Sequence, residues 1–245
     1  VGAIVNDNGE IVSTWRFDTI KNQTTDYYID NLKSGLCACG IEPSDIEKTA
    51  ISSVVPELNN RFVDAVSKIT GAEPRFFSVI DAERLLDIDV DFPEQVGKDR
   101  LADAIAAAEC YGSPTIVIDM GTATTVGIVT AQRKFVGGMI IPGVKTSHRA
   151  LCERASQLSE IDKWEAGSIV GRNTKECMQS GVIFGAACMI DGVIDRINDM
   201  FDSPFTIVAT GGMSSVIVPY CKHDIIVDKH LLLKGIYHAV IAENK

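Results

Sequence analysis

Asp119-Met120-Gly121-Thr122-Ala123-Thr124-Thr125 is the stretch of this chain whose residue types come nearest to chemistry. A carboxylate ending an apolar run, followed by glycine and hydroxyl residues, puts negative charge, backbone N–H groups and small side chains near one point. Such a point suits a phosphate and its cation, and equally a tight turn with a solvated aspartate. Thr210-Gly211-Gly212 asks for close backbone approach, either to a nucleotide or to a neighbouring helix. Gly97-Lys98-Asp99-Arg100 opens an alanine-rich segment, and at a helix start the free N–H groups favour anions. There an acid beside a guanidinium could hold one small polar substrate, Arg100 gripping a carboxylate and Asp99 taking a hydroxyl proton. A helix cap at Asp99 with a surface Arg100 is the plainer alternative. His148, His223, His230 and His238 form no triad pattern with the serines or cysteines and receive no catalytic role.

These residues need elements to hold them. Val1 to Val5 alternates as a strand, Asn8-Gly9 supplies positive-φ turn residues, and Ile11 to Phe17 returns, the pattern of a β-hairpin. Thr25 to Leu36 has apolar residues at helical spacing and is expected to end near Gly35. Thr49 to Val55 reads as a buried strand and Pro56 as the start of a helix. Ile80 to Val96 has no clear period and reads as a loop over a cleft, and Arg100 to Cys110 as a helix ending before Gly112-Ser113-Pro114. Beyond that boundary come a strand (Thr115 to Asp119), a small-residue loop, a strand (Val126 to Thr130), a turn near Gln132 and a strand (Lys134 to Ile141). Helices are expected at Val144 to Leu158 and Asn173 to Ile197. A strand at Phe205 to Ala209 puts Thr210-Gly211-Gly212 at its carboxyl end, where ligands bind in α/β sheets. The chain thus reads as α/β with two domains, residues 1–112 and 113–245. Val126-Gly127-Ile128-Val129 echoes Val1-Gly2-Ala3-Ile4-Val5, as an internal duplication would.

Length and charge narrow the classes. The chain has 245 residues, 46% of them apolar, enough for two cores at roughly 150 residues per domain. Net charge is −10 and no segment concentrates lysine and arginine, which argues against nucleic acid as a partner. No unbroken apolar run approaches the ~20 residues that cross a bilayer, and the first residues are unlike a signal peptide, so the expected location is cytoplasmic, away from any membrane. The cysteines, at 37, 39, 110, 152, 177, 188 and 221, are an odd, scattered set expected to be reduced and mostly in the core.

Taken together and in order, these motifs resemble type III pantothenate kinases. The resemblance rests on Ile51-Ser52-Ser53-Val54-Val55-Pro56, Val96-Gly97-Lys98-Asp99-Arg100, Ile118 to Thr125, Gly137-Gly138 through Ile141-Pro142-Gly143, Gly171-Arg172-Asn173-Thr174 with Met178-Gln179-Ser180-Gly181, and Ala209-Thr210-Gly211-Gly212. It implies a duplicated actin-like fold, that of the acetate and sugar kinases, with two domains and a cleft between them. It implies transfer of a phosphoryl group from ATP, with Mg²⁺, to the primary hydroxyl of pantothenate, giving 4'-phosphopantothenate at the start of coenzyme A biosynthesis, in a homodimer. Asp99 is then the proton acceptor, and Gly97, Lys98, Arg100 and Thr174 contact pantothenate. Thr122, with Gly121, Gly211 and Gly212, contacts ATP, and Asp119 holds a monovalent cation, potassium or ammonium. Where the family commonly sets an aromatic against the substrate, seven residues before Gly97, this chain has Val90. The family's D-x-G-N-T phosphate loop belongs just before the hairpin that here begins at Val1, and a chain starting at Val1 is expected to bind ATP weakly. Two other readings are a Baf-type transcriptional activator, a name that relatives of this family have carried, and a catalytically silent protein that binds pantothenate or nucleotide.

Overall fold

The structure, a computed structural model, describes residues 1–242 except Thr19, Val54, Ser156 and Asp202. The chain forms two compact units: Val1–Leu85 with Phe92–Ala106 and the chain from Leu232 on, and Leu86–Asp91 with Ala107–Leu231. This division departs from the linear halves expected at Gly112, since the segment from Leu232 to Ala242 belongs to the first unit.

In the first unit β1 (Gly2–Val5) and β2 (Ile11–Trp15) pair antiparallel. The expected turn joins them, with Gly9 at φ +81° and the Asn6 side chain accepting from the N–H groups of Asn8 and Glu10. α1 (Thr25–Ala38) starts on Thr24, whose hydroxyl accepts from Tyr27 N–H, and runs past the expected stop at Gly35. Gly35 serves packing rather than termination, because a Cβ there would lie 2.3 Å from the Trp15 indole. β3 (Ala50–Ile51) is shorter than the apolar run around it, of which Val54 lies outside the described residues. A 3-10 turn opened by Pro56 leads into α2 (Asn59–Thr70), and β4 (Arg75–Phe76) then pairs parallel with β3. Tyr28, Leu58 and Ala65 are fully buried, with Phe17, Leu32 and Phe62 packed on them. The segment expected to be a loop contains α3 (Val79–Glu83), β5 (Asp87–Ile88) and a 3-10 turn at Pro93–Gln95, elements too short for a period to show. α4 (Lys98–Tyr111) follows.

The second unit is built on one six-stranded sheet. β6 (Thr115–Met120), β7 (Ala123–Val129) and β8 (Lys134–Pro142) form an antiparallel meander. β9 (Thr206–Thr210) joins β6 in parallel, β10 (Ile226–Val227) joins β9 in parallel, and β5 joins β8 in parallel, giving the order β10-β9-β6-β7-β8-β5. β7 begins three residues before the expected Val126, because Ala123, Thr124 and Thr125 already pair with Pro142, Ile141 and Ile140. One sheet face is covered by α5 (Val144–Arg154), α6 (Thr174–Asn198) and α7 (Ser214–Ile217). Ile116, Ile118, Met120, Val126, Ile207 and Ala209 of the sheet form one core with Ile183, Ala187, Ile190, Ile194 and Ile197 of α6. Each fully buried aliphatic side chain there contributes about 1.5–3 kcal/mol. α5 ends four residues before the expected Leu158, at a C-cap on Ala155 with extended backbone. α6 is long and apolar enough by composition alone to cross a bilayer, with mean hydropathy 1.6 in its most apolar stretch.

All seven cysteines are free, as expected, but none is buried: Cys37, Cys110, Cys177 and Cys188 are exposed and the other three half-buried. Interior positions of the helices and of the buried sheet went to Ile, Ala and Val instead.

The chain end closes the first unit. α8 (Leu231–Ile236) passes into a π-turn at Tyr237–Ile241, where Arg75 Nη1 donates to the Val240 carbonyl and the Tyr237 hydroxyl to the Asp7 carbonyl. Gly235 lies directly on α4, and a Cβ there would stand 1.8 Å from the Ala102 carbonyl oxygen. Backbone cannot yield to that extent without moving α4. Gly235→Ala is therefore expected to destabilise the fold by about 1–3 kcal/mol, the usual cost of overpacking. Urea denaturation followed by circular dichroism should show the lowered midpoint, and an unchanged midpoint would contradict this packing.

Candidate active site

Asp119 sits next to last in β6, half-buried, on the sheet face opposite the α6 core, because strand alternation sends Ile118 and Met120 to that core. β9 runs parallel beside β6 with Thr210 opposite Asp119, so both chains turn away at the same corner. Gly211 makes that turn at φ +86°, and a Cβ on it would lie 2.3 Å from Asp119 Oδ1 and 2.7 Å from Met120 N. Both the angle and the space demand glycine. On the other side, a Cβ on Gly121 would be in ordinary contact with both Asp119 oxygens, at 3.6 Å. The carboxylate is thus cradled between two glycines. Gly212, by contrast, is exposed and would meet nothing within 4 Å.

The turn after Asp119 is pinned by backbone and hydroxyl bonds. Gly121 N–H donates to the Ala123 carbonyl, Met213 N–H to the Met120 carbonyl at 3.1 Å, and Ser214 Oγ to the Gly211 carbonyl at 2.8 Å. Exposed Thr122 presents its carbonyl to the start of α5, accepting from Gly143 N–H at 3.0 Å and Thr146 Oγ1 at 2.7 Å. Thr146 and Ser214 were not singled out in the sequence, where a hydroxyl at a helix start reads only as a cap. Thr124, expected in the loop, is instead buried in β7, and its Oγ1 has no partner among the described residues. A half-buried carboxylate with glycine backbone on two sides fits a cation and the phosphate oxygens that accompany it.

In the first unit, Gly97 precedes α4 and accepts from Leu101 N–H. Asp99 folds back over it: Oδ1 accepts from Arg100 N–H at 2.9 Å and would stand 2.4 Å from a Cβ on Gly97. The small residue therefore makes room for the acid, and the helix N-terminus favours its charge. Lys98 and Arg100 are half-buried beside it. Burial lowers the pKa of the Arg100 guanidinium, and the Asp99 carboxylate opposes that shift. One turn on, Asp103 is almost fully buried, an acid whose spacing of four from Asp99 was the only sequence signal for it.

The remaining predicted residues, Val90 and Thr174, lie in the second unit. Val90 follows β5, its Cγ1 3.7 Å from where a Cβ on Gly137 would be. Thr174 is the exposed first residue of α6, after an N-cap Asn173 that accepts from Glu176 N–H at 3.0 Å. Gly171 lies so close to this helix start that a Cβ would meet Cys177 N at 2.3 Å.

Comparison with known proteins gives these motifs a family. A family model described as type III pantothenate kinase matches residues 1–196. The type III pantothenate kinase of Halalkalibacterium halodurans is 35% identical over 226 residues, 92% of this chain and 89% of that protein. That of Brevibacillus brevis is 36% identical over 235 residues, 94% and 90% of the two chains. Among solved structures, ethanolamine utilization protein EutJ from Carboxydothermus hydrogenoformans superposes with a TM-score of 0.50 at 12% identity, covering 97% of this chain and 83% of that one. A Campylobacter jejuni protein described as a Baf family transcriptional activator superposes with a TM-score of 0.51 at 20% identity, over 80% and 84% of the chains, and carries the fold alone. The fold is the duplicated actin-like one, and each unit shows it as an antiparallel hairpin (β1–β2, β7–β8) and a parallel pair (β3–β4, β9–β10). With one family matching most of its length and relatives a third identical across nine-tenths of both chains, this chain belongs to the type III pantothenate kinase family.

Proposed function

We propose that this protein transfers the γ-phosphoryl group of ATP to the primary hydroxyl of pantothenate, making 4'-phosphopantothenate, the first step of coenzyme A biosynthesis. The observation that carries the reading is the pair of motif turns: Asp99 folded against Gly97 at the start of α4, and Asp119 between Gly121 and Gly211. Asp99 takes the hydroxyl proton as the pantothenate oxygen bonds to phosphorus and the bond to the ADP oxygen breaks. Arg100 binds the pantothenate carboxylate with Gly97 and Lys98, while Thr174 and Val90 line the same substrate. Thr122, Gly121, Gly211 and Gly212 meet the nucleotide, and Asp119 holds potassium or ammonium there. Mg²⁺ carried with ATP supplies charge neutralisation at the phosphates. Phosphoryl transfer depends on alignment and neutralised charge more than on covalent help.

The protein works in the cytosol as a homodimer. In support of the dimer, only 33% of the most apolar stretch of α6 is buried within the chain, and Gly181, Gly185 and Cys188 form an exposed small-residue stripe along it. A single-monomer mass in sedimentation equilibrium would refute that assembly. Transcriptional activation is not favoured: the net charge is −10, and the family match is to a kinase. A silent pantothenate or nucleotide sensor is separated from the kinase by turnover alone.

Asp99→Asn is expected to lower kcat by ~10²-fold or more with ATP binding nearly unchanged, as a general base contributes 10² to 10⁴. Arg100→Ala should mainly raise the KM for pantothenate. Wild-type turnover in Asp99→Asn would remove the base assignment. Potassium or ammonium should raise the rate over sodium, and Asp119→Asn should abolish that difference. Equal rates in sodium and potassium buffers would sink the cation role.

A further inference from the structure

Val90 is carried by a strand with little to hold it. β5 has two residues, lies at the edge of the sheet, and is hydrogen-bonded alongside β8 by Asp87 N–H on the carbonyl of Arg133, just before β8, and Asp89 N–H on the Phe135 carbonyl, both at 3.0 Å. Its side chains alternate, so Asp87 and Asp89 stand exposed on one face while Ile88 and Val90 turn inward on the other. On the exposed face, Lys134 of β8 reaches both acids, with Nζ 3.0 Å from Asp87 and 3.4 Å from Asp89. On the inner face, β8 bulges at Gly137 and Gly138, at φ +93° and +151°, and Val90 packs against that bulge. A Cβ on Gly138 would meet the Val126 carbonyl oxygen at 1.8 Å, so the bulge is fixed in place by its neighbour β7.

On the inner face Val90 meets Gly137, beside a half-buried Ile88. The outer contact is a cation bridging two carboxylates two residues apart, a side-chain tie added to the two backbone hydrogen bonds that set the register of β5. The two acids in turn hold Lys134 protonated by hydrogen bonding and by charge. We infer that Lys134, through Asp87 and Asp89, is a positioning residue for the pantothenate site, setting where Val90 meets the substrate. This rests on Val90 lining that substrate. Lys134 itself touches neither substrate nor nucleotide in this assignment.

The inference is tested by steady-state kinetics and by calorimetric titration with pantothenate alone. Lys134→Met, and separately the double variant Asp87→Asn/Asp89→Asn, should each weaken pantothenate binding by about threefold to tenfold, the size expected from two exposed ion pairs. The KM for ATP and kcat should stay within about twofold. Combining all three substitutions should cost no more than either set alone, and Lys134→Arg, which can still bridge both acids, should stay near wild type. Unchanged pantothenate affinity in Lys134→Met would overturn the inference. So would a fall in pantothenate KM in the double asparagine variant, since charge rather than position would then be the lever. A wild-type protein that neither binds nor phosphorylates pantothenate would overturn the proposed function instead.

Discussion

Gly211 and the Asp119 carboxylate share one corner of the second unit, and there is room for both only because Gly211 has no side chain. That close approach follows from β6 and β9 being parallel neighbours in register, so that Asp119 and Thr210 end their strands side by side. Everything around the corner conforms to it. Met213 and Ser214 bond back to the Met120 and Gly211 carbonyls, and α5 starts where Thr122 offers its own carbonyl. Gly143 is held to the same standard, since a Cβ on it would lie 2.4 Å from the Gly121 and Thr122 oxygens. Rigidity at this corner comes from backbone packed on backbone.

The two candidate acids are held in different ways. Asp119 stands next to last in a buried strand and depends on the sheet for its position. Asp99 stands in the first turn of α4, where the helix dipole favours a negative charge, and a glycine gives its carboxylate space to fold back. Arg100 next to it is half-buried, so its charge costs desolvation that the adjacent carboxylate partly offsets. A strand end and a helix start both present backbone donors outside a ladder.

The two units spend their apolar residues unequally. Five of the six residues of β6 are buried, whereas none in β1, β2, β3 or β4 is. Stability in the first unit therefore rests on helices and on aromatic packing, with Tyr28 and Phe62 rings 4.6 Å apart at its centre. In the second it rests on the sheet and α6, whose inward isoleucines recur at Ile183, Ile190, Ile194 and Ile197.

Long periodic elements and local motifs were legible in the sequence by itself. The hairpin with Gly9 at its turn, α4 opening on Gly97-Lys98-Asp99-Arg100, and the strand ending at Asp119 all follow from residue order, because turn chemistry and apolar period act over a few neighbours. α6 was placed to within a residue for the same reason. The short elements between Val79 and Gln95 were not legible, since a two-residue strand such as β5 exists only through its partner β8. Gly35 looked like a helix stop because nothing nearby in the chain says that Trp15 lies across it. The return of the chain end to the first unit, and the meeting of Asp119 with Gly211 ninety-two residues later, belong to tertiary structure alone. Local sequence dictates which backbone angles and capping groups are available, whereas contacts between distant residues are decided by which buried faces and which carbonyls find each other.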